Sequence, residues 1–254
     1  MPPASPAPQP PELDLQGSVL RRVRSHHVFE ACVEQLATAI RLGVYPLGST
    51  LPGERELAER MGVSRAALRE AIAALREAGL VETRRGRGGG TVVTLKPRTP
   101  SARKAARLTP EMRAEWLDSL DFRRVIEPGA AYLAAARCRD GLLSADQLDR
   151  LQAALDDVTT ARRPATHRQA DSRFHLTIAA LSGSPRVIAS VTDVQRVLNE
   201  MLLAIPVLDR NIDHSDHQHA AVAKAIRDGR PDRARRAMEQ HCDDTAALLR
   251  GLVG

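Results

Sequence analysis

Apolar residues recur at three- and four-residue spacing through most of this chain, and the exceptions are local. Between residues 28 and 43, Val33, Leu36 and Ile40 lie along one side of a helix, which Tyr45-Pro46-Leu47-Gly48 stops. A short helix over 54–61 meets Gly62-Val63-Ser64 and then a third helix from Arg65 to about Gly79, with Ser64 placed to cap it. In that third helix Leu68, Ile72, Leu75 and Gly79 share one stripe, while Arg65, Arg69 and Arg76 form the adjacent one. Helix, glycine-containing turn, helix is the helix-turn-helix pattern. After Leu80 two short β-prone runs, from Val81 and from Thr91, flank the glycine-rich stretch at 84–90 and predict a hairpin. From Thr109, an N-cap followed by Pro110, the pattern is helical again, with further helices expected around 117–139, 144–162, 166–182, 184–205, 217–228 and 231–250.

Two stretches lack such periodicity. The first eleven positions hold six prolines, so residues 1–18 read as a disordered tail; residues 96–108 carry Pro97 and Pro100 and no apolar face, so they read as a linker. The linker separates a unit at 19–95 from one at 109–254, as a length of 254 residues suits two domains.

Composition narrows the class. The chain is 43% hydrophobic but only 2% aromatic, so aliphatic residues and alanine must fill the interior. That favours packed helices, and argues against recognition of single strands by base stacking. No apolar run approaches the roughly 18 residues that a bilayer span needs, and the N-terminus has no signal-peptide core, so a cytoplasmic protein without membrane contact is expected. Cys32, Cys138 and Cys242 are scattered and read as packing residues of a reducing compartment.

The net charge of +6 is unevenly placed: residues 1–108 hold 17 Lys and Arg against 10 Asp and Glu, and residues 109–254 hold 20 against 21. The basic excess belongs wholly to the N-terminal unit and points to a polyanion partner. On the third helix, Arg65 and Arg69 can reach guanine O6 and N7 in the major groove of double-stranded DNA. Arg55 suits a phosphate, and Arg84, Arg85 and Arg87 let the hairpin tip enter a groove or grip the backbone. The glycine run has neither the Lys-Ser/Thr ending nor the following helix of a nucleotide-binding loop.

In the C-terminal unit, Asp171 and His175 are one helical turn apart on a face that also carries Phe174 and Ile178. His219 shares a face with Val222 and Ile226, and His241 with Met238 and Leu248, so all four polar groups point toward a core. Burying a carboxylate and three imidazoles is costly unless they are hydrogen-bonded or hold a cation. A divalent metal satisfies all four, and this donor set suits Zn, Ni, Mn or Fe better than Mg or Ca. His167, one turn before Asp171, stays a candidate; His217 points away from His219, and His214 falls in an expected loop.

The stretch from Leu51 to Val81, with Leu51-Pro52-Gly53-Glu54-Arg55 and Gly62-Val63-Ser64-Arg65, resembles the DNA-binding domain of the GntR family of bacterial transcription regulators. The resemblance implies a homodimer and supports Arg55, Arg65, Arg69 and the wing-tip Gly86 as DNA-contacting positions, with Ser64 near the backbone. Phe122-Arg123-Arg124-Val125-Ile126-Glu127-Pro128, Asp171 with His175, His219 ahead of the Gly229 turn, and Met238 to His241 resemble the FCD domain of the FadR-type branch. That resemblance implies a metal held by Asp171, His175, His219 and His241, a small organic acid beside it, and Arg123 facing the acid. For Arg123 a surface ion pair with Glu127, four residues on, is the other reading. Ser184 and Gln218 depart from the family pattern.

The expected fold is therefore mainly α, an N-terminal winged helix-turn-helix followed by a C-terminal all-α bundle. The expected function is a homodimeric DNA-binding transcription regulator, a repressor, that answers to a small carboxylate. Regulation by the metal itself is an alternative, and a metal-dependent enzyme carrying a DNA-binding appendage is a weaker one, because no general base or nucleophile motif accompanies the metal set.

Overall fold

A computed structural model of the protein describes residues 28–84, 89–96, 109–161, 163–204 and 209–253, together with Gln16, Leu20, Arg22 and Gly86. The expected proline-rich tail apart from Gln16, and the expected linker apart from Lys96, lie outside these residues, as do Arg85 and Arg87.

Among the described residues the N-terminal part holds α1 (Val28–Arg41), α2 (Glu54–Met61), α3 (Arg65–Glu77) and an antiparallel hairpin of β1 (Val81–Arg84) and β2 (Gly90–Val93). Its register pairs Val81 with Val93 and Arg84 with Gly90. Ser64 caps α3 by accepting a hydrogen bond from the Ala67 amide. The turn between α2 and α3 needs a left-handed residue, and Gly62 supplies it at φ 67°. Leu36, Ile40, Leu57, Leu68, Ile72 and Leu75 are buried together, so the stripes read from the sequence are the packed faces.

Among the described residues the C-terminal part has six helices: α4 (Pro110–Arg139), α5 (Ala145–Thr160), α6 (Pro164–Leu181), α7 (Pro185–Ala204), α8 (Asp209–Arg227) and α9 (Pro231–Val253). Helix α4 packs against α6, α7, α8 and α9, which makes it the axis of the bundle. Thr109 caps it and Ser144 forms a reciprocal capping box with Gln147 at the start of α5.

Two boundaries differ from the sequence reading. The helix expected from 117 is continuous with the one starting after Thr109, over 30 residues. Helix α8 begins at Asp209 rather than near 217, which places His214 on a helix rather than in a loop. The causes differ: residues 110–115 of α4 are exposed and carry no inward stripe, whereas the inward stripe of α8 runs from Ile212 through Ser215 to His219, so polar residues occupy positions where periodicity looks for apolar ones.

The two parts meet at α6. The Gln169 side-chain amide donates to the Arg41 carbonyl at 3.2 Å, and Arg173 donates to the Gly43 carbonyl at 3.5 Å. Residues 169 and 173 share one side of α6; residues 171 and 175 lie on roughly the opposite side, facing into the bundle.

Candidate metal centre and DNA-reading surface

Four helices converge on one buried polar cluster. Helix α4 contributes Arg123 and Glu127, α6 contributes Asp171 and His175, α8 contributes His219, and α9 contributes His241. One ligand nitrogen from each of His175, His219 and His241 lies within 4.8 Å of the other two, and all three side chains are buried. The Asp171 Oδ1 atom is 3.3 Å from His219 Nε2 and 4.0 Å from His175 Nε2. Bonds of about 2.0–2.2 Å to a shared metal put neighbouring donor atoms roughly 3–3.5 Å apart. The four residues thus fit a divalent cation with small adjustments, Asp171 sitting beside His175 and His219.

The surrounding contacts dictate which ring nitrogens are free. Arg123 Nη2 lies 3.0 Å from His241 Nε2, and a guanidinium only donates, so His241 Nε2 is the acceptor. His241 Nδ1 then carries the hydrogen, which it donates to Gln218 Oε1 at 3.1 Å. The Gln218 amide nitrogen in turn donates to Asp244 at 2.6 Å, which fixes the amide orientation. His175 Nδ1 sits 3.0 Å from Glu127 Oε2, off the ideal hydrogen-bond direction, and its Nε2 has no hydrogen-bond partner among the described residues. A carboxylate behind one ring nitrogen leaves the other facing the cluster, the arrangement that orients metal-binding histidines.

Electrostatics favour the ligand forms of these groups. Burial pulls His219 down to about 3 against the pull of Asp171 in the other direction. Burial likewise drives His241 well below its usual value, with His219 and Arg123 adding to the effect. For Asp171 burial works upward, yet His175 and His219 outweigh it and hold the carboxyl below its ordinary range. Burial also opposes ionisation of Glu127, but Arg123 and His175 keep it far below the usual carboxylate range. At neutral pH the cluster therefore presents neutral His219 and His241 beside ionised Asp171 and Glu127.

The structure corrects the ion-pair reading of Arg123. Its Nε donates to Glu127 Oε2 at 2.9 Å, but the pair is 2% exposed at each end, so it is a core element rather than a surface ion pair. Nη1 of Arg123 is buried with no hydrogen-bond partner among the described residues. Beyond the pair with Arg123, the part Glu127 plays in the cluster was missed from sequence: it also contacts His175 and accepts from Gln195 at 2.6 Å. The signal for it was available, an acid one turn beyond Arg123 on the same inward stripe. His167 pairs with Asp216 at 3.3 Å and lies outside the cluster; His214 is exposed and pairs with Asp244. Cys242 packs beside Glu127, and burial pushes its thiol well up, as suits a packing residue. A cavity of about 180 Å³ lies elsewhere, between α1, α6 and α7, lined by Thr38, Arg41, Gln169 and Asn199.

On the N-terminal part, Arg65 and Arg69 are exposed on α3, on the flank beside its buried stripe. Arg55 is exposed near the start of α2, in a loose ion pair with Glu59 at 3.7 Å. Gly86 is exposed at φ 101°, a left-handed conformation that favours glycine at the hairpin tip. Arg76 turns toward the hairpin and reaches Thr83 at 3.4 Å.

Comparison with known proteins agrees with both halves. Residues 30–93 match the model of bacterial regulatory proteins of the gntR family, and residues 118–244 match the FCD domain. A protein of Mycobacterium gastri designated an HTH-type transcriptional regulator, RmpR, is 32% identical over 232 residues, covering 89% of this chain and 81% of that one. One of Escherichia coli K12, designated an L-lactate dehydrogenase operon regulatory protein, is 33% identical over 206 residues, covering 76% and 75%. Among solved structures, a Streptococcus agalactiae GntR matches at 27% identity and a TM-score of 0.45, covering 86% of this chain and 99% of that one. A helix-turn-helix with exposed arginines, joined to a helical bundle of the FCD type, makes this chain a member of the GntR family of bacterial transcription regulators.

Proposed function

We propose that the protein is a homodimeric repressor that binds a pseudo-palindromic operator and answers to a small carboxylate held beside a divalent metal. The observation that carries the ligand half is the buried set of three imidazoles beside an ionised Asp171, with a charged Arg123 among them. A protein interior does not collect such groups without a compensating ligand or a complete hydrogen-bond network, and His175 Nε2 and Arg123 Nη1 have no partner among the described residues.

In this reading Arg65 and Arg69 read bases, Arg55 meets phosphate, Ser64 lies near the backbone, and Gly86 brings the wing tip close to the duplex with Arg85 and Arg87. Asp171, His175, His219 and His241 would hold Zn, Ni, Mn or Fe, and the bound metal would supply Lewis-acid coordination for a carboxylate oxygen. Arg123 pairs with the remaining charge of the acid, and Glu127 fixes the guanidinium. The relative named for an L-lactate dehydrogenase operon makes small hydroxy acids the first class to try. The dimer has a candidate face on α4, where Phe122, Val125, Tyr132 and Leu133 form an exposed apolar stripe, Val125 at 70% exposure. Effector would act by binding one dimer geometry more tightly, which changes the spacing of the two α3 helices.

The test is a fluorescence-anisotropy titration at fixed salt against DNA flanking the protein's own gene, with competitor DNA, with and without Zn²⁺, and with a pool of small carboxylic acids. Specific binding that the pool weakens is the expected result. Binding that follows Zn²⁺ alone would make the metal the signal, and turnover of an acid would revive the enzyme reading. Specific binding indifferent to metal and acid would refute the ligand half.

A further inference from the structure

Nε2 of His241 has one lone pair, and in this structure it accepts from Arg123 Nη2 at 3.0 Å. The opposite ring nitrogen is committed to Gln218, which Asp244 holds in place, so the ring cannot offer Nδ1 as an acceptor without breaking that chain. Nε2 can therefore serve Arg123 or a metal, but not both. The other end of the guanidinium is anchored independently: Nε donates to Glu127, itself fixed by Gln195 and by the His175 ring. Nη1 has no hydrogen-bond partner among the described residues, although Arg123 is only 2% exposed. An arginine held at Nε with both Nη groups open is a two-pronged carboxylate receptor, whereas a bond to His241 takes one of the two N–H donors of Nη2 and holds that edge of the guanidinium against the ring.

From this, we infer that Arg123 and the metal compete for His241 Nε2, so that ligation of the metal releases Arg123 Nη2 and completes the two-pronged receptor for an acid. The inference rests on the proposed metal and acid site and adds to it an order of assembly, metal before acid, together with the residue that imposes it. It also gives Glu127 a positioning role: it keeps the guanidinium beside the cluster after Nη2 is released. The coupling is reciprocal, because an acid that holds Nη2 also removes the competitor of the metal and tightens its binding.

Zn²⁺ alone is sufficient to test this. The full-length protein, labelled with ¹⁵N-arginine and stripped with a chelator, is titrated with Zn²⁺ while the Arg123 side-chain signals are followed. The expected result is movement of the Nη signals with the Nε signal held in place by Glu127. In parallel, Zn²⁺ affinity is measured by competition with a chromophoric chelator for wild type and Arg123→Lys. Lysine keeps the positive charge but cannot reach Glu127 and His241 together, so the variant binds Zn²⁺ about tenfold more tightly, the worth of one charge-assisted hydrogen bond. Zn²⁺ binding that leaves the Nη signals unmoved, or equal affinities in the two proteins, overturns the competition while leaving the metal site standing. Failure of both proteins to bind Zn²⁺, Ni²⁺, Mn²⁺ or Fe²⁺ removes the metal site and the inference with it. The wild-type spectrum decides the matter even if the variant does not fold.

Discussion

Acidification of the chelated protein reads the histidine cluster most directly. Unfolded His219 takes up a proton as the pH falls through about 6.5, whereas the folded residue resists until about 3 because it is buried. Protonation in this interval stabilises only the unfolded chain, so the contribution of His219 is fully present above its unfolded pKa and is lost progressively on the way down to 3. Between pH 7.5 and 5.5 this loss is about 1.4 kcal/mol from His219 alone. His241, driven in the same direction by burial, adds to the loss. Asp171 and Glu127 are both held below their ordinary values, so their own losses begin only as the pH approaches the carboxylate range. That leaves the chosen window to the imidazoles. The assay is urea unfolding at fixed protein concentration with excess chelator, at pH 7.5 and 5.5, for wild type and His219→Gln. The wild type should lose at least ~1 kcal/mol more than the variant. Equal losses, or a wild type as stable at pH 5.5 as at 7.5, would refute the account of a neutral buried cluster.

Three further perturbations bear on the frame around the site. Ser64→Ala removes the cap of α3 and should destabilise the protein by about 1 kcal/mol in urea unfolding. Gly43 sits at φ 75°, and a Cβ there would lie 2.8 Å from Gln169 Cβ. Gly43→Ala should thus cost about 1–2 kcal/mol from the left-handed backbone alone, and should loosen the contact between α1 and α6, seen as faster amide exchange at Arg41 and Gly43. Arg65→Ala or Arg69→Ala should reduce discrimination between operator and mutated operator by about 1–3 kcal/mol in competition anisotropy, whereas Arg55→Ala should weaken all duplexes alike. An unchanged discrimination ratio in the Arg65 and Arg69 variants would remove them from base reading.

The contact between α6 and α1 gives these measurements a common frame. One helix carries Asp171 and His175 on its inner side and Gln169 and Arg173, which grip the end of α1, on its outer side. A helix is stiff over one turn, so a shift that improves the inner contacts has to be accommodated at the outer ones.

The local pattern determined a good deal by itself. The three N-terminal helices, the Ser64 cap, the hairpin and most of the bundle helices follow from spacing, caps and glycines, because each depends on neighbours within a few residues. Inward-facing Asp171, His175, His219 and His241 were legible for the same reason: a polar residue on an otherwise apolar stripe marks itself. The sequence could not show that the helix starting after Thr109 runs unbroken into the one expected from 117, or that α8 begins at Asp209, because residues 110–115 are exposed and Ser215 stands on the inward stripe of α8 where periodicity looks for an apolar residue. Nor could it decide among the partners of Arg123. Glu127 is four residues away and His241 is 118 residues away, and only the packing of α4 against α9 brings the second within 3.0 Å. That packing turned a pair resembling a surface ion pair into the buried link between an arginine and a candidate metal ligand, since burial and hydrogen-bond partners depend on which helices meet.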